Sequence, residues 1–172
     1  MQEKTTTITI RVPDSMKKKL EALCSKNSIN LNLLINQILS KNIHWDEHVT
    51  KMGWLQFDPV VTKTIFTHLD EEEINSITNS VKKDIIKSIK FIYGDVSFEH
   101  TIEFITSWLN FTNIPFRYTE KNNSHKFLIT HNLGKNWSLF AVKVSEAFIK
   151  EIGFKTLDIH YDKSSYSFII TK

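Results

Sequence analysis

The stretch TTTITIRVPDSMKKKLEALCSKNSINLNLLINQILSKN, residues 5–42, decides the fold of the first part of this chain. Between residues 5 and 12 polar and apolar side chains alternate, which predicts a β-strand with one buried and one polar face. Pro13 cannot donate to a strand ladder but fits the first turn of a helix, so we expect the strand to end at Val12. A lone strand leaves its backbone groups unpaired, so this one must pair with the same strand of a second copy.

Two amphipathic helices are predicted after the strand. Apolar residues at helical spacing indicate a first helix that ends at about Lys26. Asn27 and Ser28 break this pattern, and Asn30 is positioned to cap a second helix whose apolar stripe begins at Leu31. Strand, helix, turn and helix therefore follow one another without a gap.

The run TITIRVP (residues 7–13), the two helices and NLNLLI (residues 30–35) resemble the ribbon-helix-helix (Arc/CopG-type) family of DNA-binding proteins. The resemblance covers about the first quarter of the chain. It departs from the family pattern at the turn, where Ser28 replaces a common glycine, and at Asn30, which replaces a common Ser or Thr cap. It implies an intertwined homodimer in which a two-stranded ribbon is backed by four helices.

The resemblance also implies which residues contact double-stranded DNA. The outward side chains of the ribbon would enter the major groove as base readers, namely Thr7, Thr9 and Arg11. The amino-terminal end of the second helix would grip phosphate, at Asn30, Leu31 and Asn32. Arginine can bond guanine through two hydrogen bonds, and threonine offers a hydroxyl and a methyl group. The alternative is that the threonines are ordinary strand formers and Arg11 an ordinary surface charge.

The charge distribution favours the DNA-binding interpretation. The 172-residue chain carries 22 Lys and Arg against 19 Asp and Glu, a net charge of +3. Residues 1–43 hold seven of the basic and three of the acidic side chains, a net charge of +4, so the remainder has a net charge of −1. Phosphate binding requires positive charge where the ribbon lies, and a dimer would double it.

Composition limits the class of protein. With 41% hydrophobic residues the chain can bury packed cores. Its single cysteine, Cys24, excludes an intrachain disulfide and falls on the apolar stripe of the first helix. The sequence contains no run of about 18 apolar residues and no signal peptide at its start. We therefore expect a cytoplasmic protein without a membrane partner.

Residues 44–93 are predicted to form a helical connector. Asp58 followed by Pro59 is typical of a helix start, and Asp70 with Glu73 has the pattern of a capping box. After the capping box, isoleucines and a valine recur at helical spacing and form a long apolar seam. This seam would pair with its copy in the dimer or cover the sheet that follows.

The sequence contains no motif that announces catalysis. A glycine-rich phosphate loop, a nucleophile elbow and paired carboxylates at helical spacing are all missing, so we predict no enzyme, no catalytic residue and no cofactor. His44 and His48 are four residues apart, which is a spacing that can hold a metal ion. Because the sequence shows no third ligand, we predict that they are a surface pair and that the chain has no metal site.

The last part of the chain contains an internal duplication. FRYTEKNNSHKFLIT (residues 116–130) and LDIHYDKSSYSFIIT (residues 157–171) align without a gap at an offset of 41. Each has apolar residues alternating around a polar turn, as in a hairpin, and each follows an amphipathic helix. We therefore predict that residues 94–172 form an αββαββ domain with a four-stranded antiparallel sheet and both helices on one face, which makes the chain α+β.

The segment THNLGKNWS, residues 130–138, is a candidate ligand pocket between the first hairpin and the second helix of this domain. It brings a histidine and a glycine beside the free amides at a helix start. The candidate residues are His131, Trp137 and Ser138, with His100 or His160 as neighbours. The alternative is that Gly134 makes a tight turn and Trp137 belongs to the core.

These patterns predict a homodimeric, sequence-specific DNA-binding transcriptional regulator with three parts. Residues 1–43 would bind DNA and dimerise, residues 44–93 would connect, and residues 94–172 would respond to a small-molecule effector or set a higher oligomer. One alternative is the antitoxin of a toxin–antitoxin pair, although an antitoxin tail is typically short and disordered. Another is a ligand-binding or assembly protein whose ribbon serves only dimerisation.

Overall fold

The computed structural model describes residues 5–172 and shows an α+β chain. The helical elements are α1 (Asp14–Asn27), α2 (Leu31–Lys41), a π-helical turn (Asn42–Asp46), α3 (Glu47–Met52), α4 (Pro59–His68), α5 (Glu71–Tyr93), α6 (Phe98–Phe111) and α7 (Lys135–Glu151). The strands are β1 (Phe116–Lys121), β2 (Ser124–Thr130), β3 (Lys155–Tyr161) and β4 (Ser165–Thr171). Two compact units result, one ending at His44 and the other spanning Trp45–Lys172.

In the first unit, α1 and α2 form at the predicted positions, whereas residues 5–13 form neither helix nor strand in the single chain. The single chain thus does not show the predicted ribbon. A β-strand needs a hydrogen-bonded partner strand, and the predicted partner belongs to a second copy. Ser28 adopts the left-handed conformation, with φ of 54°, at the turn between the helices. The Asn30 side chain accepts a hydrogen bond from the Leu33 amide at 2.8 Å, which confirms the predicted cap.

Two further predicted helix starts are confirmed in the second unit. The Asp58 carboxylate accepts a hydrogen bond from the Val60 amide at 2.7 Å, and Pro59 is the first residue of α4. At the start of α5, the Glu73 amide donates to the Asp70 carboxylate at 2.9 Å, and the Asp70 amide donates to the Glu73 carboxylate at 2.8 Å. These two bonds form the capping box and satisfy amides that a helix start leaves without partners.

Helix α5 packs against α7 and α6 within the second unit. Its seam is covered at both ends, because Ile74 and Ile89 are fully buried. An ion pair between the Lys82 ammonium and the Glu151 carboxylate, at 2.6 Å, joins the rims of α5 and α7. The prediction that this seam covers the sheet was wrong in its partner, because the seam packs mainly on α7 and it is α7 that contacts β3 and β4.

The predicted four-stranded antiparallel sheet is present, with the strand order β1-β2-β4-β3. Phe127 of β2 pairs with Phe168 of β4, and these two residues are equivalent in the duplication. A pseudo-two-fold axis therefore passes between the two phenylalanines, whose rings stack at 5.4 Å. Both belong to one buried core that also contains side chains of α6 and α7, so the helices cover the same face of the sheet.

A β-bulge in β3 breaks the symmetry of the two hairpins. Asp158 has φ of 49°, and the register shifts by one residue beside it. Leu157 therefore pairs with Ile169, one residue away from the pairing that the duplication predicts from Phe116 and Ile129. Its side chain is exposed on the face of the sheet opposite the helices.

Candidate functional site

The predicted base readers lie in the exposed segment that precedes α1. Thr7, Thr9 and Arg11 are all exposed. The apolar residues between them are exposed as well, since Ile8 is 76% and Ile10 is 58% accessible. Both predicted faces of the segment are thus open to solvent in the single chain.

The predicted phosphate contacts lie at the amino-terminal end of α2. Asn30 is the cap residue, and its side chain is used by the Leu33 amide. The first amides of an α-helix have no acceptor within the helix, and Leu31 and Asn32 occupy these first positions. The cap therefore uses the Leu33 amide and leaves the amides of Leu31 and Asn32 for an anion.

In the second unit, the structure brings His131, Trp137 and Ser138 together. The His131 Nδ1 atom accepts a hydrogen bond from the Leu133 amide at 3.1 Å, so the proton of the neutral ring sits on Nε2. The Nε2 atom lies 2.8 Å from Ser138 Oγ and donates to it, and the Ser138 hydroxyl donates to the Gly134 carbonyl at 3.4 Å. Burial lowers the pKa of His131, which agrees with a neutral ring.

His131 and Ser138 therefore satisfy each other rather than presenting polar atoms to a ligand. The His131 ring packs against Trp137, with ring centres 4.5 Å apart, and Trp137 in turn contacts Tyr166 at 5.7 Å. The predicted neighbours are elsewhere. His100 bonds the Asp95 carboxylate at 2.7 Å and stacks on a tyrosine of α5, and His160 lies on the exposed side of the sheet.

A cavity of about 370 Å³ lies beside Trp137 and is lined by residues of α5, α6, α7, β2 and β4 and by Trp54. Fourteen of its seventeen lining residues are apolar or tryptophan; the exceptions are Asp84, Ser145 and Tyr166. Small-molecule sites in proteins have volumes of roughly 300–1,000 Å³ and mostly apolar linings. The cavity has the size and the lining of such a site.

The cavity has a closed floor and an open side. Ile129, Phe168 and Tyr166 of the sheet form part of the floor and are almost completely buried. The Asp84 side chain is 70% exposed and, with Trp54, also borders a shallower pocket of about 530 Å³ on the surface. A ligand would therefore enter past Trp54 and α5 and reach the sheet.

Of the predicted site residues, only Trp137 lines this cavity. Trp54, Trp108 and Tyr166 were missed because they lie far apart in the chain, in a loop, in α6 and in β4, and none belongs to a local motif. The one signal in the sequence was the number of large aromatic residues, with twelve phenylalanines and four tryptophans. These residues converge only in the folded unit.

No group of three or more His, Cys, Asp or Glu side chains in residues 5–172 is arranged to hold a metal ion. Within the same residues, no helix is long and apolar enough to cross a membrane. No protein-family model matches the chain, and no curated protein is significantly similar to it.

Proposed function

We propose that this chain is a homodimeric, sequence-specific DNA-binding transcriptional regulator of the ribbon-helix-helix type, with a ligand-sensing second unit. The observation that carries the proposal is that α1 buries none of its residues, although its apolar side chains recur at helical spacing. Helix α2 buries only Leu34 among residues 31–41. Two amphipathic helices without a covered face need a partner.

A second copy of the same unit is the partner that best fits the exposed side chains. Large apolar residues are exposed throughout residues 8–43: Ile8, Ile10, Val12, Met16, Leu23, Leu31, Leu33, Ile38, Leu39 and Ile43. Pairing of residues 5–12 with their copy would satisfy the unpaired backbone groups and turn one face of the ribbon toward the four helices. Burying this much apolar surface drives association.

The same pairing would present Thr7, Thr9 and Arg11 on the opposite face of the ribbon. A two-stranded ribbon fits the major groove, where arginine can bond guanine through two hydrogen bonds. The helix starts at Asn30 would then meet the DNA backbone, since helix amino termini bind phosphate. The net charge of +4 on residues 1–43 supports this docking.

The test is selection of bound duplexes from a random pool at two salt concentrations, with size determination of the purified protein alongside. We expect a dimer and an enriched, two-fold related site. Arg11→Ala should lose about 1–3 kcal/mol of discrimination between bases, as expected for a bidentate contact. The matched control is Arg117→Ala, which removes the chain's other arginine, an exposed side chain on β1.

A dimer that binds no DNA, or that binds without sequence preference, would contradict base reading and favour a ribbon used only for dimerisation. A monomer would contradict the ribbon itself. Equal losses in Arg11→Ala and Arg117→Ala would show that binding depends on total charge rather than on a contact of the ribbon.

A further inference from the structure

We propose that the cavity of the second unit binds one uncharged, mostly apolar small molecule whose single hydrogen-bonding group meets the hydroxyl of Tyr166. This rests on the sensing role in the proposed function and specifies the class of ligand. Neither the ligand class nor Tyr166 follows from the sequence, since the residues involved come from different elements.

The lining determines that the ligand is mainly apolar. The floor consists of buried side chains such as Ile129 and Phe168, and α6 and α7 add Trp108 and Phe148. The one ionisable carboxylate in the lining, Asp84, is exposed and pairs with the Lys87 ammonium at 3.1 Å. An ionised group inside would have no counter-charge, so the part of the ligand inside the cavity is uncharged.

The volume sets the size of the ligand. A dry apolar cavity of about 150 Å³ accommodates benzene. The cavity here measures about 370 Å³. Scaling by volume gives roughly 15 non-hydrogen atoms. This size corresponds to two fused or linked rings or to a branched chain of similar bulk, which is far smaller than a nucleotide cofactor.

Tyr166 supplies the polar contact. Its side chain is 3% exposed and lines the cavity. Burial raises the pKa of its phenol, so the hydroxyl stays protonated at neutral pH and can both donate and accept a hydrogen bond. Of the polar residues in the lining only Tyr166 is buried, so a ligand with one donor or acceptor would meet this hydroxyl inside the cavity. His131 and Ser138 are not available for this role because they bond each other.

The experiment uses N-phenyl-1-naphthylamine, an uncharged two-part aromatic amine that brightens in apolar surroundings and carries a single N–H. We expect saturable binding of one molecule per chain by the full-length protein. Quenching of tryptophan emission should accompany it, because Trp54, Trp108 and Trp137 line the cavity. Absence of saturable binding to the wild-type chain would overturn the proposal.

Ala141→Phe tests the location, since Ala141 lines the cavity on α7 and a phenyl group there would occupy it. We expect at least tenfold weaker binding. Ala147→Phe is the matched control, because Ala147 lies on the same helix away from the cavity. If Ala141→Phe does not fold, Ala141→Leu provides the same test with a smaller side chain. Wild-type affinity in a folded Ala141 variant would overturn the assignment to this cavity.

Tyr166→Phe tests the polar contact while keeping the aromatic ring. Loss of one hydrogen bond should weaken probe binding about five- to tenfold. Unchanged affinity would overturn the role of Tyr166. The Arg11→Ala variant should bind the probe as the wild type does, so a failure of DNA reading and a failure of ligand binding give different results.

Discussion

Removing the hydroxyl of Ser138 is the sharpest test of the His131 network. Ser138 is fully buried, and its Oγ atom lies 2.8 Å from His131 Nε2. In Ser138→Ala the Nε2–H group of the half-buried His131 would lose its acceptor. A buried donor without a partner costs about 1–3 kcal/mol. We therefore expect the free energy of unfolding to fall by about 1–3 kcal/mol.

The assay is urea denaturation at neutral pH, followed by tryptophan fluorescence. All four tryptophans lie between Trp45 and Trp137, so their emission reports the second unit alone. Ser145→Ala is the matched control, since it makes the same change on the same helix at a residue that is less buried. It should change the free energy of unfolding by less than about 0.5 kcal/mol.

A double-mutant cycle separates the hydrogen bond from the loss of the hydroxyl. His131→Phe removes the donor, so Ser138→Ala should cost less in that background than in the wild type. The coupling between the two sites should be about 1 kcal/mol or more. Equal costs of Ser138→Ala in both backgrounds would refute the reasoning, because they would mean that the two side chains act independently.

Three further predictions follow from the described contacts. Burial lowers the pKa of His131 below its ordinary value of 6.5, partly opposed by Asp162, so protonation favours the unfolded chain. The free energy of unfolding should therefore have its full value above pH 6.5 and decrease as the pH falls below 6.5. In urea titrations, His131→Asn should make this decrease with pH smaller. Asp70→Ala should lower the urea midpoint by an amount equivalent to about 1 kcal/mol, whereas Asp70→Ser should retain the cap. Ser28→Gly should slow hydrogen exchange in α1 and α2 by an amount equivalent to about 0.5–1 kcal/mol, because glycine adopts φ of 54° without strain. Faster exchange in the variant would contradict this prediction.

Local signals predicted the helix starts and the hairpins well. Caps such as Asn30, Asp58 and Asp70 act through the nearest three residues, so their hydrogen bonds can be read from the sequence. The first hairpin turn is equally local, since Asn122 and Asn123 both adopt positive φ in a two-residue loop. Such features depend on neighbours along the chain rather than on the tertiary fold.

Other features depend on residues far apart and could not be predicted. The bulge at Asp158 shifts the register of β3, although the aligned repeats give no sign of it. The pairing of α5 with α7 was not among the predicted alternatives, a second copy and the sheet, since an apolar seam does not identify its partner. The contact between His131 and Ser138 was anticipated as a cluster, but the mutual hydrogen bond that makes both unavailable to a ligand was not.

The duplication explains why a symmetric framework holds an asymmetric cavity. The pseudo-two-fold axis between Phe127 and Phe168 relates core residues that are apolar in both repeats, so both hairpins can contribute to one core. At the position equivalent to Tyr166, the first repeat has His125, whose Nδ1 atom bonds the Tyr118 hydroxyl at 2.7 Å. The first repeat thus satisfies its polar group internally, whereas in the second repeat Tyr166 lines the cavity. Exchanging these two residues should therefore abolish the hydrogen bond to a ligand while leaving the Phe127–Phe168 pairing intact.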